Sequence, residues 1–132
     1  MSKIQKFEDL QVWQKARIIC NLIEELFQTT KLGTNFALRN QMERSSGSIM
    51  DNIAEGFGRS GNKEFNNFLS YAKGSCTELK SQIYRSFDKN LINKDHFDNL
   101  MLLTEEEINK IGAFMRYLRT TEYKGQKFNN NK

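Results

Sequence analysis

The sequence predicts an all-α protein, an antiparallel up-down-up-down four-helix bundle. Three observations carry that expectation. Apolar residues recur at alternating steps of four and three in four separate stretches, the chain of 132 residues contains no proline, and no stretch alternates apolar and polar residues with the period of a strand. Proline removes a helical N–H donor and clashes with the preceding turn, so its absence permits long uninterrupted helices. A chain of this length forms one domain and buries a core without disulfide or metal staples. The bundle is expected over residues 1–120, with residues 121–132 a mobile polar tail.

The first helix is expected to start near Phe7 to Asp9, where Glu8 and Asp9 suit the positive end of the helix dipole. Val12, Ala16, Ile19, Ile23 and Leu26 form its seam, and Trp13, Cys20 and Phe27 widen it. A stripe this broad is a bundle face rather than a two-stranded seam. Thr29 to Gly33 ends the helix, with Gly33 free to take a left-handed conformation. Ile18 and Leu22 lie off the seam, as does Phe57 further on. Apolar side chains left outside the bundle are candidates for contacts between subunits.

Thr34 or Asn35 can cap the second helix. Its seam reads Leu38, Met42, Ser46, Ile49, Ile53 and Gly56. The periodicity runs unbroken through Ser45-Ser46-Gly47-Ser48, so this small-residue stretch is helical with a slim face open to close approach. Gly56 to Asn62 is the turn, and Asn62 is a candidate cap for the third helix. There Phe65, Leu69, Ala72, Cys76, Leu79, Ile83 and Ser86 hold the repeat, with Gly74-Ser75-Cys76 as a second slim patch. Asn93 caps the fourth helix, whose expected seam is Phe97, Met101, Thr104, Ile108, Ile111, Met115 and Leu118, with Leu100, Glu107 and Phe114 beside it.

Chemistry is sparse. One histidine, His96, and two separated cysteines, Cys20 and Cys76, supply no zinc-type ligand set. The paired Glu and Glu-x-x-His pattern of di-iron bundles is absent, and Glu105-Glu106-Glu107 reads as a solvated charge run. Cys76 sits on an apolar seam, where a thiol is inert. Gly56-Phe57-Gly58-Arg59-Ser60-Gly61 lacks the lysine of a phosphate loop and is explained as a turn. The expectation is therefore a protein that is not an enzyme, with no metal and no cofactor. The opening residues hold no apolar signal core and no run long enough to span a membrane, which suits a cytoplasmic protein.

The formal net charge is +4, spread as mild surpluses over residues 62–93 and 121–132. Arg44, Arg59, Lys73, Lys80 and Arg85 are either a solvated face or a basic strip along the second and third helices that meets phosphates. Asn52, Glu55 and Glu78 are either a polar site open to a groove or a hydrogen-bond network locking two helices in register. The network is the expected reading.

Three segments carry a family resemblance: Phe7-Glu-Asp-Leu10-Gln-Val-Trp13, Gln41-Met-Glu-Arg44 through Ser48-Ile49-Met-Asp-Asn52-Ile-Ala-Glu55-Gly56, and Glu64-Phe65 through Gly74-Ser75-Cys-Thr-Glu78-Leu79. Together they resemble the 23S rRNA-intervening-sequence proteins, small bacterial four-helix bundles, over roughly residues 7–118. Met50 stands where that family often has proline. The resemblance implies a homo-oligomer, a ring of five bundles, and a partner that is ribosomal RNA or other nucleic acid. The alternative is a protein-interaction scaffold with no nucleic-acid role.

Overall fold

The computed structural model describes residues 4–120, and the expected polar tail lies outside the described residues. Four helices account for the fold: α1 (Gln11–Thr29), α2 (Phe36–Phe57), α3 (Asn62–Asp88) and α4 (Lys94–Thr120). At about 1.5 Å per residue they are long rods joined by short connections, so consecutive helices run antiparallel. Each packs on two neighbours, α1 on α2 and α4, α3 on α2 and α4, and the α2–α3 contact is the most extensive. No helix among the described residues is long and apolar enough to cross a membrane.

Local chemistry explains where the helices begin and end. Glu8 and Asp9 belong to a short 3-10 turn, Phe7–Asp9, that precedes α1 instead of opening it. The Phe7 ring packs edge-on against Trp13 (5.1 Å), and Gln14 Nε2 donates to the Glu8 carbonyl (2.9 Å). Asn35 caps α2, its Oδ1 accepting the Leu38 N–H at 3.2 Å. Asn93 Oδ1 accepts the His96 N–H at 2.8 Å, and His96 Nδ1 faces back to the Asn93 N–H, a reciprocal cap that opens α4. At the end of α3, Asn90 takes the left-handed conformation (φ 61°). The Leu91 N–H then reaches the Ser86 carbonyl and the Asn90 N–H the Phe87 carbonyl, both at 2.9 Å, a complete Schellman motif.

Two expected glycine and cap roles fall elsewhere. Gly33 is not left-handed; it sits inside the 3-10 turn Lys31–Thr34, and the positive-φ glycine among the described residues is Gly61 (φ 85°). Gly33 is required for space: a Cβ there would lie 1.8 Å from the Phe27 carbonyl oxygen. Asn62 does not cap α3. It is the first helical residue, and its Nδ2 donates to the Leu118 carbonyl at 2.9 Å, tying the start of α3 to the end of α4.

The seams expected for α1, α2 and α3 are all buried. α4 is rotated from its expected setting. Leu100, Thr104, Glu107, Ile111, Met115 and Leu118 are buried, while Met101 and Ile108 are only half-buried. Glu107 is therefore no part of a solvated run: it is 0% exposed, and neither carboxylate oxygen has a hydrogen-bond partner among the described residues. Apolarity alone favours Ile108 over Glu107 for the core. The fit of α4 against both α1 and α3 decides otherwise, because a helix touching two neighbours buries a face broader than one heptad line.

Phe57 is the other correction. It is 6% exposed and packs edge-on against Phe65 (6.1 Å), which in turn meets Phe114 (5.4 Å). This aromatic cluster plugs one end of the bundle and removes Phe57 from the free surface. Ile18 is 53% exposed and Leu22 half-buried, so these two remain on the outside of α1.

Candidate nucleic-acid interface

The slim faces of α2 and α3 meet in register. Ser75 Oγ donates to Ser48 Oγ at 2.9 Å, and Ser45 Oγ donates to the Glu78 carboxylate at 3.3 Å. Asn52 joins the same row, its Nδ2 donating to both the carbonyl and the hydroxyl of Ser48 at 2.8 Å. Polar groups do bridge α2 and α3, but through serines. Glu55 takes no part: it points outward and pairs with Arg59 at 2.7 Å, one turn along α2. Asn52 and Glu78 act on one interface through separate serines, and no direct contact links them.

The close helix approach lies away from the small-residue patches. A Cβ on Gly47 or Gly74 would have nothing within 4 Å, whereas one on Gly56 would come within 2.7 Å of Phe68 Cβ. Beside the serine row the slim faces leave an open polar groove of about 370 Å³ lined by Gln41, Arg44, Ser45, Ser48, Ser75, Glu78 and Gln82. Gln82, which the sequence places beside the α3 seam without giving it a role, is 4% exposed in its wall. Its position three residues past Leu79 and one before Ile83, on the flank of a seam, was the available signal.

The five basic residues do not form one strip. Arg44 faces the groove and makes no ion pair among the described residues. Arg85 lies at the same side, donating from Nη1 to Gln41 Oε1 at 3.0 Å. Five residues along a helix turn the side chain by more than a third of a revolution, so Lys80 faces α4 instead and is paired with Glu105. The Glu105 hydrogen bond raises the Lys80 pKa. Arg59 is neutralised by Glu55 and lies over the Phe68 ring at 5.0 Å. Lys73 also faces α4, where its ammonium converges with Arg116 over Gly112. A Cβ on that glycine would lie 3.6 Å from Arg116 Nη1 and 3.9 Å from Lys73 Nζ. No carboxylate pairs with either cation among the described residues. Arg116 was missed in the sequence because α4 carries no basic run.

Both thiols are free and donate to carbonyls, Cys20 to Ser46 at 3.1 Å and Cys76 to Thr104 at 3.6 Å. Burial raises the Cys20 pKa and pushes that of Cys76 up to about 12, so neither is a nucleophile at neutral pH. Among the described residues no three His, Cys, Asp or Glu side chains gather to hold a metal ion.

A crystal structure of a protein of unknown function from the S23 ribosomal protein family of Bacteroides thetaiotaomicron superposes with a TM-score of 0.72 at 19% identity, covering 79% of this chain and 97% of that one. At that identity the likeness speaks for the fold. No curated protein matches the chain significantly. The sequence itself matches the family model described as 23S rRNA-intervening sequence protein over residues 8–113, the span that holds all four helix seams almost entire. With the four-helix bundle and that match in hand, the chain belongs to the 23S rRNA-intervening sequence protein family.

Proposed function

We propose that this protein is a non-enzymatic nucleic-acid-binding homo-oligomer, with ribosomal RNA or other nucleic acid as its ligand. The observation that carries the reading is the convergence of Lys73 and Arg116 over Gly112, two cations side by side with no carboxylate between them. Like charges brought together repel, and an oligophosphate backbone is the abundant polyanion that relieves them. Arg44 on α2 and Arg85 on α3 add two guanidinium groups that make no ion pair among the described residues, on the side of α3 turned to α2.

Phosphate binding displaces counterions, so affinity for a structured RNA is expected to fall steeply between low and moderate salt. Lys73→Gln combined with Arg116→Gln is expected to weaken binding and to lower the slope of log affinity against log salt by about two. Filter binding or fluorescence anisotropy across a salt series checks this. A protein that shifts no RNA or DNA at low ionic strength ends the reading. A salt-insensitive protein partner that survives nuclease would favour the scaffold alternative.

Self-association, expected as a five-membered ring from the family resemblance, has its best support in α1. Ile18, 53% exposed, stands beside Trp13 and Arg17 on an open face and is not among the side chains packed against the core. Ile18→Asp is expected to reduce the mass seen by light scattering to that of a smaller species without changing the helical circular dichroism spectrum. A native chain that is already monomeric at micromolar concentration refutes the oligomer.

A further inference from the structure

The α2–α3 groove holds polar groups that the chain does not itself satisfy. Gln82 is 4% exposed, yet its amide makes no hydrogen bond among the described residues and Oε1 is buried without a partner. A buried amide left unpaired is destabilising, and native structures seldom retain one without a reason. One turn earlier on α3, the Glu78 carboxylate accepts one hydroxyl, from Ser45, and keeps the rest of its acceptor capacity open. On the facing helix Arg44 makes no hydrogen bond or ion pair among the described residues, and on α3 itself Arg85 gives one of its five N–H groups to Gln41 and none of the others to a described residue. The groove thus presents a carboxylate and an amide together, flanked by two guanidinium groups.

We infer that this groove takes one unpaired guanine nucleotide of an RNA strand, its Watson–Crick edge on Glu78 and Gln82 and its phosphate on Arg44 and Arg85. Guanine carries two adjacent N–H donors, at N1 and N2, which a carboxylate can accept together. Its neighbouring O6 is an acceptor for the amide N–H. Uracil offers one donor there and lacks the fork. In a duplex these edges are already paired, so the site selects loops, bulges or single strands. No aromatic ring lines the groove. Discrimination therefore comes from hydrogen bonds, unlike the sequence-tolerant stacking of general single-strand binders. An acidic peptide could engage the arginines, but it has no donor fork for Glu78. The inference rests on the nucleic-acid reading above and adds to it a base identity and a strand state.

The test uses the full chain and two labelled RNA octamers, one of uridine alone and one with a single central guanosine, read by fluorescence anisotropy at low salt. The guanosine octamer is expected to bind about five-fold more tightly, the low end of what a bidentate base contact discriminates. Glu78→Gln and Gln82→Leu are each expected to erase that difference, read as the ratio of guanosine-octamer to uridine-octamer affinity within each variant. Pairing the guanosine with a complementary strand is expected to erase it as well. Glu78 is exposed and Gln82→Leu removes an unpaired buried amide, so both variants should keep the native circular dichroism melt. Equal affinity of the native chain for the two octamers overturns the inference and leaves the nucleic-acid reading standing. A preference that survives both substitutions overturns it too, by placing recognition elsewhere. Stronger displacement of the guanosine octamer by an acidic octapeptide than by the uridine octamer would assign the groove to a protein segment. No binding of any RNA, structured or single-stranded, ends both readings.

Discussion

The native protein is expected to lose stability between pH 5 and pH 8, and Glu107→Gln to remove most of that loss. The Glu107 carboxyl is 0% exposed and neither oxygen has a hydrogen-bond partner among the described residues. Burial raises its pKa from the ordinary 4.5 to about 8, and Lys15 on α1 and Lys110 on α4 pull it back only in part. From α3, the Cys76 thiol is the other titratable group beside it. At neutral pH the folded chain therefore holds this carboxyl protonated, whereas the unfolded chain leaves it ionised. Its contribution is fully present below about pH 4.5 and is lost progressively as pH rises to about 8. Across that window the loss is on the order of 3 kcal/mol. Urea unfolding at pH 5 and pH 8 measures it, the glutamine variant giving a flatter profile. Parallel profiles for the two proteins would show that Glu107 is ionised in the folded state and that the seam of α4 is set differently.

Gly33→Ala is expected to destabilise the protein by about 3 kcal/mol or more, the upper end of overpacking effects. The added methyl would stand 1.8 Å from the Phe27 carbonyl oxygen and 2.9 Å from its carbon, so the collision is with the Phe27 backbone. No side-chain rotation relieves it. The 3-10 turn would have to move, and with it Leu32, which is 0% exposed at that end of the core. Gly47→Ala provides the contrast. A Cβ there meets nothing within 4 Å, and in a helix interior alanine is favoured over glycine by about 1 kcal/mol. Chemical denaturation of the two variants should therefore move in opposite directions. A neutral Gly33→Ala would contradict the geometry of the α1–α2 connection.

Much of the site was legible residue by residue, but its connections were not. The heptad through Met42, Ser46, Ile49 and Ile53 placed the serines on a slim face, and Ser48 does meet Ser75 across it. The partition of the polar residues needed coordinates. Glu55 and Glu78 look equivalent in a list of helix acids, yet one salt-bridges along its own helix and the other accepts a bond from the neighbouring one. The basic residues behave the same way. Lys73, Lys80 and Arg85 share a helix, but rotation of about 100° per residue sends Arg85 toward α2 and the lysines toward α4. Only there does it become visible that Glu105 cancels Lys80 while Lys73 meets another cation, Arg116.

The sequence by itself determined the fold class, the number of helices, three of the four buried seams and the cap at Asn93, and it narrowed the α2 cap to Thr34 or Asn35, all of them consequences of periodicity and local backbone hydrogen bonding. It also carried the family, through motifs on α2 and α3. Tertiary structure alone decided the rotation of α4, and so the burial of Glu107. It alone showed that Phe57 fills an end of the core, and that Gly33 is chosen for space and not for a left-handed turn. Each of those depends on which atoms of a distant segment stand opposite. A heptad repeat records that a residue is apolar and how often it returns, but not what it will face.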